Sequence, residues 1–388
     1  MILLDAYSSR TLACVRSLDV HGVRFAVGGE TRQDMALHSR HCGERFLYTS
    51  PYISVEHFRE DVSHAAARFG ATTVLPTSEA AILAWSEGAE AIQRFSKRRT
   101  FGLAAAADVP VPQTAAVTAA APRLEDVRAV GVPAVVKADS SAYVCGDRIM
   151  KAEPTAYVRS TEDLTREVER RLAAGSDTLV QQLVEGHGVG VSGVFRDGVP
   201  VALFQHRRLR ESTPTGGPSA LAVSVPLDSD LVLMTERLMR VSRYTGPAMV
   251  EFKVCESTGA AFLMEVNWRL WGSVLLAMAA GLDIPWLLWK TLTGREVRPE
   301  ETRYRSGVVG RYLIGDTKHL ALVLRGRPRG WIEAFPSRPS ALREYLGDFV
   351  RPDVRELLLT ADDPKPFFAR LVQIGLARWP GSGSGLGL

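Results

Sequence analysis

Two glutamates and an asparagine occupy neighbouring positions on a predicted β-hairpin. Its strand-like segments are residues 248–254 and 261–267, and partners in an antiparallel pair have residue numbers of constant sum. If Glu256 faces Ala260 across the turn, the sum is 516 and Glu251 lies opposite Glu265. Asn267 lies two residues further along, on the same face as Glu265. Two carboxylates and one amide oxygen are predicted to converge at one point of the sheet.

Like charges that face each other across a strand pair need protonation of one partner or a cation between them. An all-oxygen donor set favours Mg²⁺, and Mn²⁺ could use the same donors. Arg269 continues the alternation and would place a positive charge beside a transferring phosphoryl group or an anionic intermediate. The alternative is an exposed face on which Lys253 and Arg269 neutralise the glutamates. Apolar neighbours such as Trp268 and Trp271 favour the buried metal site.

The elements that must position this site follow from hydrophobic periodicity. In residues 1–95, strand patterns alternate with helical ones, which predicts an open, mostly parallel sheet with helices on its faces. Gly28-Gly29 after the second strand is interpreted as a tight turn rather than a phosphate loop. The strands are predicted at residues 1–4, 23–27 and 72–75, and the helices at residues 9–20 and 57–69.

Three further units are predicted downstream. Residues 96–178 have the pattern of a small α+β unit, and residues 179–298 contain longer antiparallel strands, including a hairpin around Asp197-Gly198. Residues 299–388 form a mixed, basic extension with a flexible Gly/Ser tail. The fold class is therefore multidomain, α/β followed by α+β.

Composition excludes several classes of protein. The 388 residues are 46% hydrophobic and 23% charged, which is typical of folded domains. A net charge of +4 is too small to predict a nucleic-acid partner. The most apolar stretch, residues 274–289, is short and contains Asp283 and Pro285, so we expect a buried helix and its successor and no membrane span.

The four cysteines lie far apart, without the spacing of a zinc site or the density of a disulfide scaffold. We interpret them as reduced thiols and expect a cytoplasmic protein. They are Cys14, Cys42, Cys145 and Cys255.

The residues around the carboxylates resemble a known signature. Glu251 lies in AMVEFKV, and Glu265, Asn267 and Arg269 lie in FLMEVNWRLWGS. These segments resemble the metal-binding signature of the ATP-grasp superfamily, which includes carboxylate-amine ligases and biotin carboxylases. The resemblance extends over residues 1–295 and implies ATP and Mg²⁺ as ligands. It also implies a Rossmann-like N-terminal domain followed by the small and large ATP-grasp subdomains.

The same resemblance assigns the phosphate-binding residues. Lys97 resembles the lysine that opens the ATP-grasp region, and Lys137, at the end of a strand, resembles the second phosphate lysine. For either lysine alone, a solvated surface charge is the alternative. The loop after Lys137 is often glycine-rich in the superfamily, whereas this chain has ADSSAYVCGDR. Ser140 and Ser141 are expected to offer backbone N–H groups to phosphate instead.

Two further segments complete the resemblance. TLVQQLVEG resembles the linker that holds adenine, with backbone groups near Gln182 and Val184 on the base edge and the Gln181 side chain assisting; a plain buried strand is the alternative. FQHRRLRES resembles a substrate-side segment, in which we select Arg207 as a second catalytic arginine. Pairing of these arginines with acidic surface groups is the alternative.

The implied reaction is ADP-forming ligation. A small-molecule carboxylate attacks the terminal phosphoryl group of ATP, and an amine then displaces phosphate from the acyl phosphate, with Arg269 and Arg207 stabilising the oxyanion. A carboxylase, a thiol ligase, a kinase and a non-catalytic nucleotide-binding protein remain the alternatives. The sequence allows a homodimer.

Overall fold

The computed structural model describes residues 1–86, 93–118, 124–214, 217–328 and 334–377. The predicted Gly/Ser tail lies outside these residues. Within them the strands form three larger sheets and one separate hairpin. No helix in these ranges is long and apolar enough to cross a membrane.

The first sheet is parallel throughout, with the strand order β3-β2-β1-β4, as the alternation of patterns predicted. Ser8, Ser54 and Ser78 begin the three helices by accepting hydrogen bonds from amides of the first turn. Strand β3 was not predicted, because its residues are mostly exposed and two of the four are charged. The elements are β1 (Ile2–Leu3), α1 (Ser9–Val20), β2 (Ala26–Gly29), β3 (Glu44–Leu47), α2 (Val55–Phe69), β4 (Val74–Leu75) and α3 (Glu79–Trp85).

Gly28 and Gly29 form neither a tight turn nor a phosphate loop, so the interpretation of this pair as a turn is wrong. Both residues end strand β2. A Cβ on Gly28 would lie 2.6 Å from Cζ of Phe46, and one on Gly29 would lie 2.8 Å from Oδ2 of Asp34. Glycine is required here because neighbouring side chains pack directly on the strand backbone.

The second sheet is antiparallel, with the order β5-β10-β6-β9. Strand β10 belongs to it, so this sheet crosses the predicted boundary between residues 178 and 179. A separate hairpin, β7–β8, follows β6. The elements are α4 (Lys97–Ala106), β5 (Thr114–Val117), α5 (Leu124–Val130), β6 (Ala134–Ala138), β7 (Ala142–Cys145), β8 (Arg148–Lys151), β9 (Ala156–Val158), α6 (Thr161–Ala173) and β10 (Thr178–Gln182).

The third sheet has seven strands in the order β15-β14-β11-β12-β13-β16-β17. Both predicted hairpins are present, and Asp197 and Gly198 have φ of 47° and 77°, as a two-residue hairpin turn of left-handed residues requires. The apolar stretch around residue 280 forms two helices, as expected. The elements are β11 (His187–Arg196), β12 (Val199–Glu211), β13 (Ser219–Val225), α7 (Ser229–Ser242), β14 (Gly246–Val254), β15 (Ala261–Asn267), α8 (Val274–Ala279) and α9 (Ile284–Leu292).

The C-terminal extension completes this sheet and ties it to the first unit. Strand β16 pairs with β13, and β17 pairs with β16. Buried Asp363 accepts hydrogen bonds from Arg16 Nε at 2.9 Å, Ser39 Oγ at 2.7 Å and the Arg40 amide at 3.0 Å. The elements are β16 (Val309–Arg311), α10 (Leu313–Arg325), α11 (Arg338–Gly347), β17 (Val354–Glu356) and α12 (Lys365–Ala377).

Candidate functional site

A cavity of about 910 Å³ lies where the small sheet faces the large one. Its wall includes eleven of the twelve side chains selected from the sequence, and only Arg207 is absent. The cavity therefore brings together residues that are as far as 172 positions apart in the chain. The eleven are Lys97, Lys137, Ser140, Ser141, Gln181, Gln182, Val184, Glu251, Glu265, Asn267 and Arg269.

Glu251 pairs directly with Glu265 across strands β14 and β15, as predicted. The register is less simple than the constant sum assumed, because Phe252 pairs with Leu263 and leaves Met264 as an extra residue. This β-bulge lies between the turn and the carboxylates. Without it, Glu251 would face Met264 and the two carboxylates would lie on opposite faces.

The amide of Asn267 lies between the two carboxylates. Its Nδ2 donates to Oε1 of Glu251 at 3.2 Å and to Oε1 of Glu265 at 3.1 Å. A half-turn of this amide would present Oδ1 in the same place, so the residue can act as donor or as ligand. The positively polarised NH₂ group occupies the point where a cation would neutralise both glutamates, and the donor set therefore fits a hard divalent ion.

This set is distinct from a soft-metal site. In the described ranges, no group of three or more His, Cys, Asp or Glu side chains is arranged to hold a metal. Two carboxylates and one amide leave several positions of a Mg²⁺ shell for water and phosphate oxygens.

The two glutamates differ in electrostatic surroundings. Burial raises the pKa of Glu251, and Arg208 opposes the shift by donating from Nη2 to Oε2 at 2.5 Å. Burial acts on Glu265 in the same direction, but Lys97 and Lys137 outweigh it and lower the pKa of this carboxyl. Glu265 is therefore the more firmly ionised partner of the pair.

The two lysines approach Glu265 from the small unit. Lys97 is the first residue of helix α4, and its Nζ lies 3.4 Å from the carbonyl oxygen of Asp139. Lys137 is on strand β6, and its Nζ donates to Oε1 of Gln181 at 2.7 Å. Two ammonium groups beside a carboxylate pair form a charge pattern suited to a polyphosphate and its metal ion.

Solved structures share this architecture, although the sequence matches no protein-family model and no curated protein. An L-amino acid ligase from Bacillus licheniformis aligns with a TM-score of 0.58 at 14% identity, over 79% of this chain and 77% of that chain. An ADP complex of N5-carboxyaminoimidazole ribonucleotide synthetase aligns with a TM-score of 0.60 at 13% identity, over 78% of both chains.

A third structure is the biotin carboxylase domain of Hydrogenobacter thermophilus 2-oxoglutarate carboxylase, in complex with MgADP, ADP and bicarbonate. It aligns with a TM-score of 0.57 at 15% identity, over 78% of this chain and 72% of that chain. The chain has the ATP-grasp fold. At these identities the likeness concerns the fold, and the chemistry must be argued from the residues.

In this ATP-grasp fold the loop after Lys137 is a hairpin docked on the N-terminal unit. Asp147, at its tip, accepts hydrogen bonds from Ser54 Oγ at 2.6 Å and the Glu56 amide at 2.8 Å, and its carbonyl accepts from the Val55 amide. Ser140 Oγ donates to the carbonyl of Phe95 at 3.2 Å. These contacts hold the loop in place although it lacks the glycines expected of a phosphate loop.

Asp147→Ala should release this hairpin. We expect the KM for ATP to rise roughly 2- to 10-fold, because one side chain supplies two of the anchoring hydrogen bonds, with little change in the melting temperature. Steady-state kinetics at varied ATP would measure the effect. Asp126→Ala, at an exposed position of the same unit, is the control, and equal KM values for the two variants would contradict the anchoring role.

The predicted adenine linker is partly engaged in other contacts. The Gln181 side chain accepts from Lys137 and donates from Nε2 to Thr114 Oγ1 at 2.9 Å, so it orients the lysine. The Gln182 amide donates to the carbonyl of Gln113 at 2.9 Å and is not available to a base. Of the predicted backbone groups, we keep those of Val184 as the proposed contact with the base edge.

Arg207 lies outside the site, and its selection as a catalytic residue needs correction. It pairs directly with Val189, and both residues lie on the face of the sheet that is turned away from the cavity. Val189 is buried in the core on that face, and the Arg207 side chain is exposed. The next residue, Arg208, lies on the cavity face and binds Glu251 and Glu211. Arg210 also lines the cavity and binds Asp316 and Asp348.

Sequence reasoning missed His206 and Arg10, which both line the cavity. His206 is 1% exposed, and burial, followed by repulsion from Arg208, lowers its pKa to about 3, so the ring is neutral. His206 and Arg208 are two residues apart on one strand and share a face, but the sequence does not show that this face meets the cavity. No local pattern marks Arg10.

The charge of Lys137 should control nucleotide affinity. Burial and repulsion from Lys97 lower its pKa to about 8, against attraction by Glu265. The Lys137 side chain therefore carries its positive charge below about pH 8 and loses it above that pH. The affinity of the free protein for ATP should fall as pH rises through about 8. Lys137→Ala should weaken binding roughly 10-fold or more at pH 7 and remove this pH dependence. Isothermal titration calorimetry with MgADP between pH 6.5 and 9 would test both.

Lys137→Arg provides the control, because a guanidinium stays charged over this pH range. Unchanged affinity in the alanine variant would contradict a phosphate-binding role for Lys137.

Proposed function

We propose that this chain is an ATP- and Mg²⁺-dependent ligase that activates a small-molecule carboxylate as an acyl phosphate for attack by an amine. The proposal is carried by one observation: Glu251, Glu265 and Asn267 converge in the same cavity as Lys97 and Lys137. The carboxylates would bind the metal ion of a metal-bound polyphosphate, and the two lysines beside them would bind its phosphate oxygens. The aligned structures that are complexes with ADP or MgADP support the nucleotide assignment.

The reaction needs no protein nucleophile. A carboxylate oxygen attacks the terminal phosphorus of ATP, the bond from that phosphorus to the bridging oxygen breaks, and ADP leaves. The amine nitrogen then attacks the acyl carbon, the carbon–oxygen bond to phosphate breaks, and the nitrogen loses a proton. A bound Mg²⁺ would neutralise phosphate charge from its position between Glu251, Glu265 and Asn267.

The chain's own residues would position the substrates and compensate their negative charge. Lys97 and Lys137 would hold phosphate oxygens, and the β7–β8 hairpin would cover them. Arg269 would stabilise the oxyanion that forms on the acyl carbon. Arg208, rather than Arg207, faces the cavity and holds Glu251 in place.

An isotope experiment tests the chemistry. Amino acids and small acids, alone and in pairs with amines, would be screened for ADP release, and the active acid would then be supplied with ¹⁸O in its carboxylate. We expect one ¹⁸O atom in each released phosphate, because the acyl phosphate transfers a carboxylate oxygen to phosphorus.

Other outcomes identify the alternatives. A kinase would form ADP without releasing phosphate, a carboxylase would require bicarbonate, and a thiol ligase would require a thiol in place of the amine. MgADP binding without substrate-dependent ADP release across the whole panel would identify a nucleotide-binding protein and refute the proposed ligase.

A further inference from the structure

A second cavity, with a volume of about 440 Å³, lies at the opposite end of helix α1 from the nucleotide residues. Arg10, near the start of α1, lines the first cavity, whereas His21, directly after its end, lines the second. A helix rises about 1.5 Å per residue, so these two positions are roughly 16 Å apart. We call the second space the rear cavity, and its wall includes His21, Arg24, Thr73, Trp286, Trp289 and Arg295.

One wall of the rear cavity is a column of four flat groups. The centres of the His21 and Trp286 rings are 4.0 Å apart, those of Trp286 and Trp289 are 4.9 Å apart, and the planes of both pairs differ by 10°. The Arg295 guanidinium continues the column, with its carbon 4.5 Å from the centre of the Trp289 ring. His21 follows helix α1, whereas the two indoles belong to helix α9. The column therefore joins two units of the protein and fixes the shape of this wall.

The two arginines of the rear cavity keep their hydrogen-bond donors available. Both side chains are exposed, and neither Arg24 nor Arg295 forms an ion pair with an acidic residue of the described ranges. Stacking on Trp289 uses the face of the Arg295 guanidinium, so its N–H groups, which lie in the plane, can still bind a ligand. Asp283, which is 3.2 Å from His21, lies outside the wall, and no Asp or Glu of the described ranges lines the cavity.

The helix ends beside the rear cavity do not require these arginines. Helices α1 and α9 both end next to the cavity, and the partial negative charge of a helix carboxyl end attracts cations. Backbone amides directly after each helix already donate to its last carbonyls; they are the amides of Gly22, Val23, Gly294 and Arg295. The positive charges of Arg24 and Arg295 therefore remain available to an anion from outside the protein.

The size and composition of the rear cavity indicate an organic ligand rather than an inorganic ion. Sites for small molecules have volumes of about 300–1,000 Å³ and combine apolar walls with a few polar groups. Guanidiniums bind phosphate and carboxylate groups with the strongest hydrogen bonds, and indoles pack well against other flat rings. A molecule that contains both kinds of group would use both parts of the wall.

We propose that the rear cavity is a second ligand site, which binds a small organic anion consisting of a flat ring and a phosphate or carboxylate group. Arg24 and Arg295 would bind the anionic group, and the indoles of Trp286 and Trp289 would pack against the ring. The site is separate from the ATP chemistry, because the helix α1 lies between the rear cavity and the first cavity. It therefore adds a binding function to the proposed ligase activity.

Calorimetry with simple ring-bearing anions tests this site. The protein would first be saturated with Mg²⁺ and the non-hydrolysable analogue AMP-PNP, so that the nucleotide residues are occupied, and then titrated with phenyl phosphate and with benzoate. We expect at least one of the two to bind, and the tighter one identifies phosphate or carboxylate as the anionic group. Inorganic phosphate lacks the ring and benzyl alcohol lacks the charge, so each should bind at least about 10-fold more weakly.

Variants show whether the anion binds in the rear cavity. Arg24→Gln and Arg295→Gln should each lower the affinity for the tighter anion at least about 10-fold, because each removes a charged donor. Arg32→Gln is the control, since Arg32 is an exposed arginine of the N-terminal unit that lines neither cavity. The affinity for AMP-PNP should stay within about 2-fold of the wild-type value in all three variants, which also shows that they are folded.

Several results would overturn the second site. It is refuted if neither phenyl phosphate nor benzoate binds, or if Arg24→Gln or Arg295→Gln binds the anion as tightly as Arg32→Gln does. Equal affinity for inorganic phosphate or for benzyl alcohol would also contradict a ligand with both a ring and a charge. None of these titrations measures turnover, so the second site and the ligase assignment can fail independently.

Discussion

Glu265→Gln is expected to abolish ATP turnover in a protein that remains folded. Glu265 is the glutamate whose pKa is lowered, by Lys97 and Lys137 against burial, so it provides the firmer negative charge for a cation. Glutamine keeps the size and the hydrogen bonding but removes that charge. We expect the rate of ADP release to fall at least about 100-fold. The measurement is substrate-dependent ADP release at saturating ATP and Mg²⁺, together with a thermal melt.

Folding should tolerate this change well, because the mutation removes one of two facing like charges. Glu265 is one of the groups that raise the pKa of Glu251, so this pKa should also fall in the variant. Glu256→Gln is the control, since Glu256 is an exposed carboxylate of the same hairpin and lies outside the cavity wall. A Glu265→Gln protein with wild-type turnover would refute the metal-binding role and, with it, the ligase proposal.

The carboxylate hairpin was predictable because its information is local. A short turn and two flanking strands determine which residues face each other, and both glutamates lie within 15 residues of one sequence segment. The bulge at Met264 was not predictable in this way, because a strand sequence does not show where one extra residue is accommodated. The correct pair was predicted because two differences of one residue cancel. The turn pairs Val254 with Ala261, so the residue numbers there sum to 515 instead of the assumed 516, and the bulge restores 516 at Glu251 and Glu265.

The choice between Arg207 and Arg208 required information that is not local. The face on which each arginine lies relative to the carboxylates depends on two pairings. Strand β11 pairs with β14, which sets Gly190 beside Glu251, and with β12, which sets His206 beside Gly190. Strands β11 and β14 are separated by about 50 residues, and no turn connects them directly. The sequence could therefore select the arginine-rich strand but not the residue that reaches the cavity.

The position of Arg10 at the cavity wall depends on how whole units are arranged. One hydrophobic core joins the N-terminal sheet, the large sheet and the C-terminal extension, with Leu12 of α1, Trp271 and Leu357 among its members. This shared core brings the start of α1 next to the segment that contains Arg269. Periodicity within α1 predicted the helix, but not the unit against which it packs.

The C-terminal extension should contribute to stability through Asp316, and Asp316→Ala tests this contribution. Asp316 is 1% exposed and accepts hydrogen bonds from Arg210 Nε at 2.6 Å, Arg210 Nη2 at 3.0 Å and Arg311 Nε at 2.6 Å. Removal of the carboxylate leaves two largely buried guanidiniums with fewer partners. Loss of one member of such a network costs about 3–5 kcal/mol of unfolding free energy.

Urea unfolding followed by tryptophan fluorescence would measure this loss. Asp362→Ala is the control, because the Asp362 side chain is 59% exposed and its contacts with Arg40 and His41 are long, at 3.8 Å. We expect the control to change stability by less than about 1 kcal/mol. Arg210 lines the cavity, so the network also holds one wall of the site. Asp316→Ala should therefore weaken substrate-dependent turnover at temperatures where the variant is still folded, whereas equal stability of the two variants would show that Asp348 alone suffices to hold Arg210.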